Sequence, residues 1–104
     1  MANYYTDHPE IGFYLNHPLM RRIVELKERG FSEKDRYEEA PVNYEDCIEN
    51  YRRLLEITGD IAANIIAPNS ESVDLEGPHL ENGRMIYASK TLENLEATRK
   101  AGLW

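Results

Sequence analysis

Cysteine is nearly absent from this chain: Cys47 stands alone, so no disulfide can close within it, a usage that fits a reducing compartment. Long apolar runs are missing too, and no stretch approaches the roughly 20 apolar residues that cross a bilayer. The opening, MANYYTDHPEIG, lacks the basic and apolar regions of a secretory signal, so a cytoplasmic protein is expected. Positive charge is scarce. Twelve Lys and Arg face 19 Asp and Glu, and the net charge of −7 repels phosphate backbones, which makes nucleic acid a poor partner. Neither a Gly-x-Gly-x-x-Gly string nor a P-loop string nor a Gly-x-Ser-x-Gly elbow occurs, which excludes the common nucleotide and hydrolase signatures.

What is present suits one small domain over residues 1–104: 41% hydrophobic and 30% charged residues supply enough apolar material for a core and little to spare. Asp7 as a cap and Pro9 in a first turn predict a short helix over about residues 8–15. A second is predicted over about 18–29, where Leu19, Met20, Ile23, Val24 and Leu26 recur at helical spacing until Gly30 stops it. Residues 31–42, charged and without sustained periodicity, form a connecting loop facing water.

The strongest pattern starts at Asn43, a cap, and runs to Pro68, where further helix is disfavoured. Tyr44, Tyr51, Thr58 and Ile65 recur every seven residues, beside rows of Cys47, Leu54, Ile61 and of Ile48, Leu55, Ala62. Such a helix would be about 36 Å long with one apolar side, and it must pack against others, with Tyr51, Leu54, Leu55, Ile61 and Ile65 inside. Gly59 within it predicts a close helix crossing. After Pro68 the chain turns polar, and Asn82-Gly83 between short semi-apolar runs predicts at most a small hairpin. A last helix over about 91–100 should turn Leu92 and Leu95 inward, with Thr98 or Arg99 beside them, and stop at Gly102. Leu103-Trp104 should fold back on that helix or lead onward, and the end at Trp104 reads as a cut in a longer protein. The predicted class is all-α: a small helical bundle around one long helix, with at most a short β-hairpin near residues 79–87.

Side chains with chemistry are present but unorganised. His8, His17 and His79 are scattered, and only His79 lies near another ligand-type residue, Glu81, so no metal site is assigned. Cys47 lies on the apolar stripe and is expected to be an inert core thiol. Carboxylates abound in an acidic protein, and no acid–base pair can be picked out. Tyr44 and Tyr51 are expected as core aromatics with hydroxyls at the edge. Tyr4, Tyr5, Phe13 and Tyr14 form an N-terminal aromatic group that either packs on the body or meets another domain or subunit. No catalytic, cofactor-binding or metal residue is assigned.

Several strings nonetheless resemble the N-terminal domain of acyl-CoA dehydrogenases. They are Ile66-Ala67-Pro68-Asn69 after a long helix, then Asp74 and Glu76, then Leu95-Glu96 and Lys100-Ala101-Gly102-Leu103. Asn3-Tyr4-Tyr5-Thr6-Asp7, His17-Pro18-Leu19, Glu76-Gly77-Pro78-His79 and Glu81-Asn82-Gly83-Arg84 look like the larger bacterial branch with 3-methylmercaptopropionyl-CoA dehydrogenase-like proteins. The resemblance spans essentially the whole chain. It implies a parent oxidoreductase, a flavoprotein in which FAD takes the β hydride of an acyl-CoA while a glutamate removes the α proton. That glutamate and the main flavin contacts belong to later domains, so none maps onto this chain and the fragment alone would be inactive. The implied partners are those domains, the acyl-CoA substrate and, by family habit, further copies in a dimer or tetramer. A free-standing helical interaction module is the rival reading.

Overall fold

Asn43 opens the longest helix in the predicted way: its Oδ1 accepts the N–H of Asp46 at 2.9 Å, and the Asp46 carboxylate accepts the N–H of Val42 at 3.1 Å. A first-turn donor is satisfied and the entry of the chain is fixed. The computed structural model describes residues 2–104 and is mostly helical. α1 spans Pro9–Leu15, α2 Met20–Lys27, α3 Tyr44–Ile61, α4 Ala67–Glu76 and α5 Ser89–Lys100. β1 (His79–Glu81) and β2 (Arg84–Ile86) make one antiparallel hairpin in which Leu80 faces Met85. Its turn holds Asn82 at φ 51° and Gly83 at φ 76°, the positive angles for which Asn-Gly is suited. The chain divides into two compact units, Tyr5–Glu56 and the remainder, Ile57–Trp104 with the first residues through Tyr4.

In the Tyr5–Glu56 unit the core is Leu15, Val24, Cys47 and Ile48, with Met20, Phe31, Tyr44, Tyr51 and Leu55 packed against it. The predicted α3 stripe is met at Cys47 and Ile48, at its centre, and at the half-buried Tyr51 and Leu55, whereas Leu54, expected inside, is 47% exposed. Leu54 lies 100° of helix turn away from Leu55, and α1 and α2 cover only the Cys47–Ile48 side. Two cations set the register of α2: Arg21 stacks on Tyr44 at 4.2 Å and Lys27 on Tyr51 at 5.2 Å. At the end of α2 three consecutive residues take left-handed angles, Arg29 (φ 53°), Gly30 (φ 64°) and Phe31 (φ 61°). Only the glycine does so without cost. α1 starts close to prediction, but the capping position falls on His8, whose side chain makes no capping bond, in place of Asp7. The 32–39 stretch is exposed, as the loop reading expects.

The other unit departs more from the sequence reading. Pro68 does not end the helix. Five residues, Ala62–Ile66, form a π-helical turn in which the Ala67 N–H reaches the Ala62 carbonyl, and α4 follows with Pro68 in its first turn. A wider turn changes the hydrogen-bond register just where proline lacks a donor, so the polar segment predicted as loop continues as helix. Gly59 is buried, and the close approach there comes from the N-terminal segment, Tyr4 donating its N–H to the Gly59 carbonyl at 3.1 Å. α5 is rotated from prediction: Leu92 and Leu95 are 55% and 44% exposed, while Asn94, Ala97 and Ala101 are half-buried together with Thr98, expected inside. Polar contacts set that rotation. The buried Asn69 of α4 donates to Asn94 Oδ1 at 2.8 Å, and the Glu76 carboxylate accepts the Ser89 N–H at the start of α5, where Ala88 offers no cap. Gly102 (φ 75°) closes α5, with Leu103 N–H on the Thr98 carbonyl at 3.1 Å and Gly102 N–H on that of Arg99 at 3.0 Å. Trp104 folds back, its Nε1 donating to Thr98 Oγ1 at 2.8 Å.

Two stability measurements check this packing. Ile48→Ala should cost about 2–5 kcal/mol in urea unfolding and Leu54→Ala under about 1, and equal losses would restore the predicted stripe. Glu76→Ala should cost about 1 kcal/mol by removing the cap of α5, and no change would mean that the contact carries nothing.

Candidate functional site

The densest group of reactive side chains lies between α2 and α3. Cys47 and Tyr51, one helical turn apart, both face Glu28 at the end of α2: the Tyr51 hydroxyl donates to Glu28 Oε1 at 2.9 Å and the Cys47 thiol lies 3.8 Å from the same oxygen. Lys27 Nζ is 3.6 Å from that oxygen as well. Burial pushes the Cys47 thiol above its usual range, and Glu28 adds to the effect although Tyr51 opposes it. Tyr51 is raised strongly, first by burial and then by its contacts with Cys47 and Glu28. Both groups stay protonated at neutral pH. Neither is a nucleophile or a base there, so the cluster acts as a polar latch of α2 on α3. Cys47, fully buried, is the core thiol its position on the stripe suggests.

A second feature belongs to the Ile57–Trp104 unit. An open trough of about 620 Å³ runs between the end of α3 and α5, floored by Ile57, Ile61 and Ile65 on one side and Ala97 and Ala101 on the other. Asp60, Glu93, Glu96 and Lys100 edge it. Glu93 pairs with Lys90 at 2.8 Å and Glu96 makes a two-pronged contact with Arg99, and these partners hold both carboxyls below the usual carboxylate range. Asp60 accepts instead from the Asn64 side-chain amide at 2.8 Å, and the trough is an apolar slot edged mainly by acids.

The histidines are not brought together. His17 Nδ1 accepts the Leu19 N–H at 3.1 Å, His79 Nε2 lies 3.4 Å from Glu81, and His8 starts α1. No group of three metal-ligating side chains converges among the described residues. Phe13 and Tyr14 meet edge to face at 5.6 Å and are 66% and 67% exposed, so this part of the aromatic group faces outward. No described helix is long and apolar enough to cross a membrane. Glu28 is the residue that sequence reading missed; its partners are 19 and 23 residues away, and only the Cys47–Tyr51 spacing of four hinted at a shared polar neighbour.

The latch has a pH signature. Below pH about 10 the Tyr51 phenol is protonated whether the chain is folded or not, so its share of stability is fully present. Above that, the unfolded chain releases the proton while the folded one retains it, and stability falls as pH rises. Tyr51→Phe should cost about 1.5–3 kcal/mol at neutral pH, by stranding Glu28, and should flatten the alkaline decline in urea midpoints. An unchanged slope would show that Tyr51 is not the group responsible. Against protein families, characterised proteins and solved structures, the chain matches nothing.

Proposed function

We propose that this chain is the N-terminal helical domain of an FAD-dependent acyl-CoA dehydrogenase, a scaffold that is inactive alone. In this reading it is a helical bundle around one long helix, and the complete cytoplasmic enzyme carries out α,β-dehydrogenation of acyl-CoA thioesters. The observation that carries the reading is the ordered succession of strings, from His17-Pro18-Leu19 through Ile66-Ala67-Pro68 and Glu81-Asn82-Gly83-Arg84 to Ala101-Gly102-Leu103. Local structure is compatible with it at two points: Asn82-Gly83 forms a turn, and Ala101-Gly102-Leu103 closes a helix. At a third point this chain departs from it, because Ile66-Ala67-Pro68 lies inside a helical run and not at its end.

Thin coverage also supports a part of something larger. Eighteen large apolar side chains are exposed, against seven buried apolar residues among those described. A domain whose neighbours cover its faces leaves such a surface when viewed alone. The same surface favours the second reading, a free-standing helical interaction module, through Phe13, Tyr14 and the outer side of α2.

Assaying the chain with FAD, a series of acyl-CoAs and an electron acceptor should give no turnover, and turnover would overturn the claim that it is inert. Sequencing the gene beyond Trp104 separates the readings. A continuing frame with a β-rich segment and more helices supports the enzyme, and a stop codon supports the module.

A further inference from the structure

Two exposed helical faces, one on α2 and one on α4, differ in the sign of their unpaired charge. On α2 and its N-terminal capping residue, Leu19, Arg22, Ile23 and Leu26 stand in one row, i, i+3, i+4 and i+7, and Arg29 follows just past the helix end. Leu19, Ile23 and Leu26 are 67%, 53% and 62% exposed. The other two cations of this helix are occupied, Arg21 with Tyr44 and Glu45, Lys27 with Tyr51 and Glu28. Arg22 and Arg29 have no ion-pair partner among the described residues. The left-handed Arg29–Phe31 turn places Arg29 beside Leu26 around an open hollow of about 490 Å³. Left-handed angles are strained for Arg and Phe, and the packing of Phe31 on the core holds the turn.

On α4 the inner side is Asn69 and Val73, and the outer row is Pro68, Glu71, Ser72 and Leu75, again i, i+3, i+4 and i+7. Leu75 is 78% exposed beside a second open hollow of about 500 Å³. Glu71 and the neighbouring Asp74 have no ion-pair partner among the described residues, whereas Glu76 is committed to Ser89. One face thus offers two free cations with one carboxylate, Glu25, among leucines and isoleucine, and the other offers two free carboxylates around a leucine.

We infer that copies of this chain associate head to tail, the α2 face of one against the α4 face of the next. The contact is heterologous, so assembly continues past a dimer unless its rotation closes a ring. Few side chains take part, so it is weak and salt-sensitive. In sedimentation equilibrium at low salt (about 20 mM) the average mass should rise above the 12.1 kDa of one chain at high micromolar to millimolar concentration. At about 300 mM salt it should fall back towards one chain.

Charge reversal decides the matter. Arg22→Glu with Arg29→Glu should leave a monomer, and so should Glu71→Lys with Asp74→Lys. An equimolar mixture of the two variants should associate again, because each α2 face then meets an α4 face of opposite sign. The lysine variant is the sharper of the two: it lowers the net negative charge of −7, which by general repulsion alone would promote association. All four positions are exposed, and an unchanged circular dichroism spectrum confirms that each variant folds. Leu75→Ala, which alters no charge, should weaken association several-fold. A mass of one chain at every concentration would overturn the inference, as would association that the lysine variant leaves intact or a mixture that stays monomeric. Binding of the monomer to phosphatidylserine vesicles, lost on Arg22→Glu with Arg29→Glu, would assign the α2 face to a lipid surface and overturn it as well.

Discussion

An apolar stripe along a long helix needs cover, and the cover available within this chain is narrow. Around Cys47 and Ile48 it is sufficient: Leu15 and Val24 close over them and leave Cys47 and Val24 without exposed surface. Each such side chain contributes about 1.5–3 kcal/mol by burial, whereas ion pairs between half-exposed side chains, such as Arg53–Glu49, contribute about 0–1 kcal/mol. Stability in the Tyr5–Glu56 unit therefore rests on these few apolar residues. The polar contacts have a different task. Arg21 on Tyr44, Lys27 on Tyr51 and Tyr51 on Glu28 determine how far α2 slides and turns on α3, and hence which of its residues are left outside.

What the sequence made legible is what depends on neighbours in the chain. The Asn43 cap, the Asn82-Gly83 turn and the Gly102 stop are decided within a few residues, and all three occur as their residue types suggest. Burial of Cys47 was legible because it lies at the middle of a regular stripe. Side-chain rotation was not. Leu92 and Leu95 look like the inner face of α5 by hydrophobicity alone, yet Asn94 bonds to Asn69, 25 residues away, and turns the leucines outward. The same cause hid α4, which is held by Asn69 and Glu76 and not by an apolar row, so its sequence has no helical periodicity to find. Pro68 compounded this, since a proline marks either an end or a beginning and only the π-helical turn before it distinguishes the two.

The site was less legible than the fold, for a related reason. Glu28 gains its importance from partners on another helix, and the trough beside Ile57, Ile61 and Ile65 exists only because α5 presents the small residues Ala97 and Ala101 there. Neither feature carries a catalytic arrangement. The latch holds its protons, and in the trough Glu93 and Glu96 are already engaged by Lys90 and Arg99. To position or to bind is what both the dehydrogenase-scaffold proposal and the interaction-module reading ask of the chain.

The distribution of the uncovered apolar residues separates a surface with a partner from a defective core. A core that fails to close leaves apolar side chains at arbitrary positions, whereas on α2 Leu19, Ile23 and Leu26 follow the helical period and alternate with charge. The charges prevent indiscriminate collapse, since two like faces repel, and allow approach only by a face of the opposite sign. The net charge of −7 acts in the same direction, keeping copies apart until a local match outweighs it.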